Sequence, residues 1–208
     1  EAPETLDFVQ EVSEKWDIHI SWLEHYFGDK RPIHRTKEVT YETAARNGEP
    51  FERLLDQRGY LPNPTSRFCT SELKIKVMQR FMRKIKGYKT WYSVIGLRYD
   101  EPRRVASSKK ANDYEIWTNT TPIYDAKHTV KDVTEFWNKQ NFDLNLTNAN
   151  GKTPAGNCDL CFLKGMDTTM SILKERPAMA DWWIKQEQKF GEHAGAKFRK
   201  DRPEYIKL

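Results

Sequence analysis

Strand-like and helix-like segments alternate along this 208-residue chain, which predicts an α/β protein with a doubly wound, mostly parallel sheet and helices on both faces. Three observations carry the prediction. Residues 70–86 place Leu73, Val77, Phe81 and Ile85 at helical spacing, with Met78 and Met82 beside them and Lys74, Lys76, Arg80, Arg83 and Lys84 around the rest. Gly87 ends that helix, and residues 91–97, short and rich in aromatic and β-branched side chains, read as a buried strand of a parallel sheet. Residues 165–175 and 177–190 read as two closing helices, the second opened by Pro177, which makes the C-terminal part helical.

The other elements follow in order. Residues 1–16 predict a helix: Leu6, Val9, Val12 and Trp16 share a face, and Pro3 suits its first turn. Ile18, Ile20 and Trp22 alternate with polar residues, a short strand over 18–23. Residues 25–39 are polar and read as a loop. Two short helices are expected over 40–46 and 50–58, then a rigid loop over 59–66 with Pro62, Asn63 and Pro64. A charged loop is expected over 98–113 and an extended segment over 116–124, broken by Pro122. Residues 129–140 read as a helix capped by Thr129, with Val130, Val133 and Trp137 on one face. Residues 142–154 read as a loop, and the tail from Gly191 as basic and irregular. About three strands are visible, and no glycine-rich phosphate loop follows any of them. The reading is one domain over 1–208, with a sheet-and-helix core over 1–125 and a helical part over 126–208.

Composition narrows the class. Seven Trp, nine Tyr and ten Phe exclude a disordered chain. No apolar run approaches the roughly 18 residues of a membrane span, and the acidic first residues are not a signal peptide. Three cysteines do not make a disulfide framework, so a reducing, cytoplasmic setting is expected. The net charge is +5, yet from Lys74 to Lys110 twelve Lys/Arg face only Asp100 and Glu101. That concentration points to a phosphate-bearing partner.

Two constellations carry chemistry. Cys158 and Cys161 form a C-x-x-C in a turn opened by Gly156 and Asn157, a spacing at which two thiolates reach one metal. Cys69, in Arg67-Phe68-Cys69-Thr70, opens the helix over 70–86, where unpaired N–H groups favour a thiolate. Together the three favour one shared iron–sulfur or zinc site with a fourth position open or filled by a substrate, a histidine or a carboxylate; His128 and His193 are possible donors. The second constellation, Gly96-Leu97-Arg98 with Glu101, Arg103 and Arg104, follows the expected buried strand, where ligands of open α/β sheets bind and arginines clamp phosphate or sulfate.

These pieces together resemble the phosphoadenosine-phosphosulfate and adenosine-phosphosulfate reductase family of the adenine-nucleotide α-hydrolase-like superfamily. The matching residues are Arg67-Phe68-Cys69-Thr70 with Leu73-Lys74, Gly96-Leu97-Arg98 with Glu101 and Arg104, Pro122-Ile123-Tyr124 with Asp132-Val133, and Cys158-x-x-Cys161. The opening Glu4-Thr5-Leu6-Asp7-Phe8-Val9 resembles the segment after that family's second strand, and the closing Phe198-Arg199-Lys200-Asp201-Arg202-Pro203 its phage and bacterial branch. The resemblance implies a [4Fe–4S] cluster on Cys69, Cys158 and Cys161, with zinc as the alternative. It implies that Lys74, Arg98 and Arg104 bind the anionic groups of an adenine nucleotide, ATP or an adenylyl sulfate, and Arg67, Glu101 and Arg103 are further candidates for that binding. The implied reaction is reduction of an adenylyl sulfate or transfer of sulfur to an adenylated acceptor, nucleic acid included.

The chain departs from that family at two places. The family's N-terminal Ser-Gly-Gly phosphate loop is absent, as is the strand–loop–helix–strand that carries it. The expectation is roughly 30–50 further N-terminal residues in the natural protein, or a partner chain that supplies them. The reductases' C-terminal Glu-Cys-Gly-x-His is also absent, so the resemblance does not carry their thiosulfonate route. Two rival readings stay open: a non-catalytic, zinc-stapled nucleic-acid-binding module, and one half of a split enzyme.

Overall fold

The structure, a computed structural model, describes residues 1–27, 34–149, 151–191 and 197–208. They form two compact units, one of Glu1–Phe81 with Leu144–Leu208 and one of Met82–Asp143.

In the first unit, α1 (Pro3–Trp16) begins on a proline and ends where Asp17 turns left-handed at φ 49°. β1 (Trp22–Phe27) pairs antiparallel with β2 (His34–Val39), Trp22 opposite Val39 and Phe27 opposite His34. This corrects the expected strand over 18–23 and, at 25–27 and 34–39, the expected loop over 25–39, of which 28–33 lie outside the described residues. The sequence of β2 is almost wholly polar, so it carries no alternation of apolar residues. Pairing with β1 satisfies its backbone, and Thr36 Oγ1 donates to the Val77 carbonyl at 2.9 Å. Residues 40–46 turn instead of forming the expected helix: the Thr40 N–H donates to Thr43 Oγ1 at 2.9 Å, a side-chain bond that competes with helix formation.

α2 (Glu49–Arg58) starts after Gly48, at φ 80°, and buries Leu54 and Leu55. α3, over 68–85, joins α-helical Phe68–Thr70 and Lys76–Arg80 to two π-helical stretches, Ser71–Ile75 and Phe81–Ile85. Each π stretch rotates the apolar stripe. Val77 and Phe81 are buried, while Ile85 at the end of the predicted stripe is half exposed. α3 also buries the Glu72 carboxylate, which accepts from Arg58 and Lys76 at 2.8 Å each and lies 3.9 Å from Arg80.

α7 (Met166–Glu175) and α8 (Ala180–Phe190) close the unit as expected, joined by a 3₁₀ turn, Pro177–Met179. Over 197–208 the tail is irregular as expected apart from one 3₁₀ turn, yet it is anchored in the core, and 192–196 lie outside the described residues. Phe198 is 0% exposed, Tyr205 is buried in a 3₁₀ turn (Tyr205–Lys207), and both join Leu54, Leu61, Leu160, Phe162, Ile172 and Trp183 in the core. Two aromatic anchors in an otherwise charged stretch suffice to seat it.

In the second unit, β3 (Trp91–Val94) and β4 (Trp117–Thr120) pair in parallel, with the Trp91 and Trp117 rings stacked at 5.4 Å. The parallel sense matches expectation but full burial does not: Tyr92 is 76% and Val94 71% exposed. α4 (Pro102–Ala111) replaces the expected charged loop over 98–113. Its surface is polar, with Arg103, Arg104, Lys109 and Lys110, and only Val105 is buried, so no apolar stripe announced it. α5 (Pro122–Asp125) is a single turn. α6 (Val130–Asn138) begins with a capping box in which the Thr129 N–H and hydroxyl both donate to Asp132 at 2.7 Å. Among the described residues the strands form one antiparallel and one parallel pair, so the chain is a mixed helix-and-sheet protein. None of its described helices is long and apolar enough to cross a membrane.

Candidate metal centre

The first unit brings the three cysteines together. Cys69 lies in the first turn of α3, and Cys158 and Cys161 lie in the turn before α7, where Asn157 takes φ 58°. All three are reduced and partly buried. Burial pushes the Cys69 thiol up, and the neighbouring Cys161 adds to it. Burial also raises Cys158, against the pull of the Lys74 ammonium. Residues 92 positions apart in sequence therefore feel one another's charge. The donor set suits a thiophilic metal: three sulfurs, little solvent and a cation to offset thiolate charge. Among the described residues, however, no group of three or more Cys, His, Asp or Glu side chains is already arranged to hold a metal ion.

Lys74 is the cation of the site. Burial works against its charge, but the Cys158 sulfur and the Glu1 carboxylate at 3.4 Å outweigh it and raise its pKa. The ammonium stays protonated at any physiological pH. Lys74 and Cys158 open onto a cavity of about 670 Å³, lined also by His25, Asp159, Phe51 and Trp182. That volume holds a nucleotide-sized ligand. Arg67 precedes α3, and its charge lowers the Cys69 thiol against the effect of burial.

Arg98, Arg103 and Arg104 lie in the second unit, where Arg98 and Arg104 pair locally. Arg98 Nε donates to Asp100 at 3.1 Å and its backbone N–H to Glu101 Oε2 at 3.1 Å, while Arg104 pairs with the other Glu101 oxygen. Burial raises the Glu101 carboxyl, but the Arg98 and Arg104 bonds hold it below the usual range. Glu101 thus shapes this loop, and Arg103 stands exposed at the start of α4. Of the two candidate histidines, His128 belongs to the second unit and His193 lies outside the described residues.

Sequence reasoning passed over the groups that hold the cysteine turn. Lys164 Nζ donates to the Pro154 and Gly156 carbonyls at 2.7 and 2.9 Å, and burial lowers its pKa. Asp159 Oδ1 accepts from the Trp183 indole at 3.1 Å and from the Leu160 N–H at 2.7 Å. The C-x-x-C-x-x-K spacing was the available signal for Lys164.

Over 177 aligned residues the chain is 26% identical to the uncharacterized nin region protein ORF290 of Escherichia phage lambda; the match covers 79% of this chain. It covers 53% of the lambda protein, so the chain spans about half the length of that relative. No family model and no solved structure matches the chain.

Proposed function

We propose that the first unit is a sulfur-handling nucleotide site in which Cys69, Cys158 and Cys161 hold a [4Fe–4S] cluster. The observation that supports it is the meeting of three thiols from distant segments beside Lys74 and a nucleotide-sized cavity. Lys74 holds the anionic group of an adenine nucleotide or adenylyl sulfate there through its ammonium. Arg67 binds a further anionic group in the first unit; within the second unit Arg98, Arg103 and Arg104 form an anion-binding loop of their own, with Glu101 orienting Arg98 and Arg104. A cluster with three cysteine ligands supplies electrons, or an open iron for sulfur. The reaction is reduction of an adenylyl sulfate or transfer of sulfur to an adenylated acceptor. A doubly wound sheet belongs to the same reading, as does the reducing cytoplasm. Iron and sulfide analysis of protein purified without oxygen tests it. About four irons per chain with a broad visible absorption are expected. A colourless protein holding one zinc selects the zinc staple instead. Metal-free protein whose properties survive replacement of all three cysteines by serine overturns both.

A second reading has its own support. Residues 83–90 are exposed throughout and carry Arg83, Lys84, Lys86 and Lys89 with Tyr88 and no acid, a pattern suited to a nucleic-acid backbone. Salt-sensitive RNA or DNA binding, lost when those four cations are replaced, would support it; binding that ignores salt would end it.

A further inference from the structure

We propose that residues 198–208 clasp the cysteine turn, with Tyr205, Arg202 and Lys164 as positioning residues for Cys158 and Cys161. The inference rests on the reading of that turn as a metal-binding segment. Its own backbone does little to hold it: the Cys161 N–H reaches the Cys158 carbonyl at 3.3 Å and the Lys164 N–H the Cys161 carbonyl at 2.8 Å. The alternate carbonyls are taken by the tail. The Tyr205 hydroxyl donates to Leu160 O at 2.5 Å, Arg199 Nη1 to Phe162 O at 3.4 Å and Arg202 Nη1 to Lys164 O at 2.6 Å. One tail donor thus falls on every second carbonyl from 160 to 164.

The two strands of this contact are also packed. The Phe198 ring stacks on Phe162 at 5.8 Å, and Tyr205 lies 5.4 Å from Trp183, whose indole binds Asp159 between the cysteines. From the other side, the Lys164 ammonium ties the Pro154 and Gly156 carbonyls back onto the end of the turn. Cys158 and Cys161 therefore sit in a loop whose backbone is fixed before any metal arrives. Such outer partners orient ligands and govern affinity. Cys69 lies on α3 and receives none of these bonds, so it serves as an internal reference.

The test compares the full chain with Tyr205→Phe, which keeps the ring and deletes one hydrogen bond, and with Arg202→Met. In metal-free, reduced protein, iodoacetamide alkylation is followed at each cysteine by mass spectrometry. Both variants are expected to react about tenfold faster at Cys158 and Cys161, the worth of one buried hydrogen bond, with Cys69 unchanged. Cobalt(II), titrated by its thiolate absorption, is expected to bind the variants roughly 10–100-fold more weakly. No acceleration, or an equal rise at all three cysteines, overturns the clasp. If the parent chain takes no cobalt but the selective acceleration appears, the clasp stands and the metal reading fails.

Discussion

Replacing Phe198 by alanine tests whether the tail is part of the core. The ring is wholly buried and meets Phe162 at 5.8 Å, Trp183 at 4.8 Å and Tyr205 at 6.0 Å. Losing a buried phenylalanine costs about 3–5 kcal/mol, the transfer of its atoms plus the cavity left behind. The aromatic pairs place this site toward the upper end, since each is worth about 0.5–1.5 kcal/mol beyond area. For a chain of this length the melting temperature should fall by about 6–20 °C. Urea unfolding, followed by tryptophan fluorescence with an unchanged m-value, measures it. Exposed Lys200→Ala serves as control and should stay within about 0.5 kcal/mol. A loss below about 1 kcal/mol for Phe198→Ala would refute the placement of the tail.

Three more outcomes follow from named contacts. Glu72→Gln leaves Arg58 and Lys76 without their shared carboxylate and should cost about 2–4 kcal/mol in urea unfolding, because the carboxylate is buried and its partners are charged. Burial holds the Glu187 carboxyl above its ordinary 4.5, although the Tyr205 and Phe198 N–H groups pull the other way. The folded state then binds that proton more tightly than the unfolded chain, so this contribution is greatest below pH 4.5 and is lost as pH rises through the raised folded value. Glu187→Gln should flatten the stability–pH curve from 4.5 upward; an unaltered slope would remove Glu187 from the account. Gly48→Ala should destabilise by about 1–3 kcal/mol, since Gly48 has φ 80° and an added Cβ would meet Trp182 Nε1 at 2.7 Å. An alanine variant that melts with the parent would show that Trp182 moves freely.

Much of the helical skeleton was legible because it is written in local chemistry. Pro3 at the head of α1, Gly48 and Gly59 around α2, Thr129 with Asp132 before α6 and Pro177 before α8 all mark ends that depend on the nearest few residues. The three cysteines were legible as a group because their residue type is rare and their spacing specific. What escaped was non-local. β2 exists because β1 supplies its hydrogen-bond partners, and nothing in its polar sequence records that. α4 buries one side chain, so periodicity could not reveal it.

The sequence by itself thus determined most of the helices, where the thiols are and where positive charge accumulates. Each of these follows from residue type and short spacing. Only the tertiary structure decided what surrounds the thiols. Lys74 reaches Cys158 from α3, and Tyr205 and Arg202 bind the carbonyls of Leu160 and Lys164 from the end of the chain. Those contacts join residues 38 to 84 positions apart. Their partners are backbone carbonyls and buried charges, whose neighbours are chosen by packing and leave no pattern in sequence.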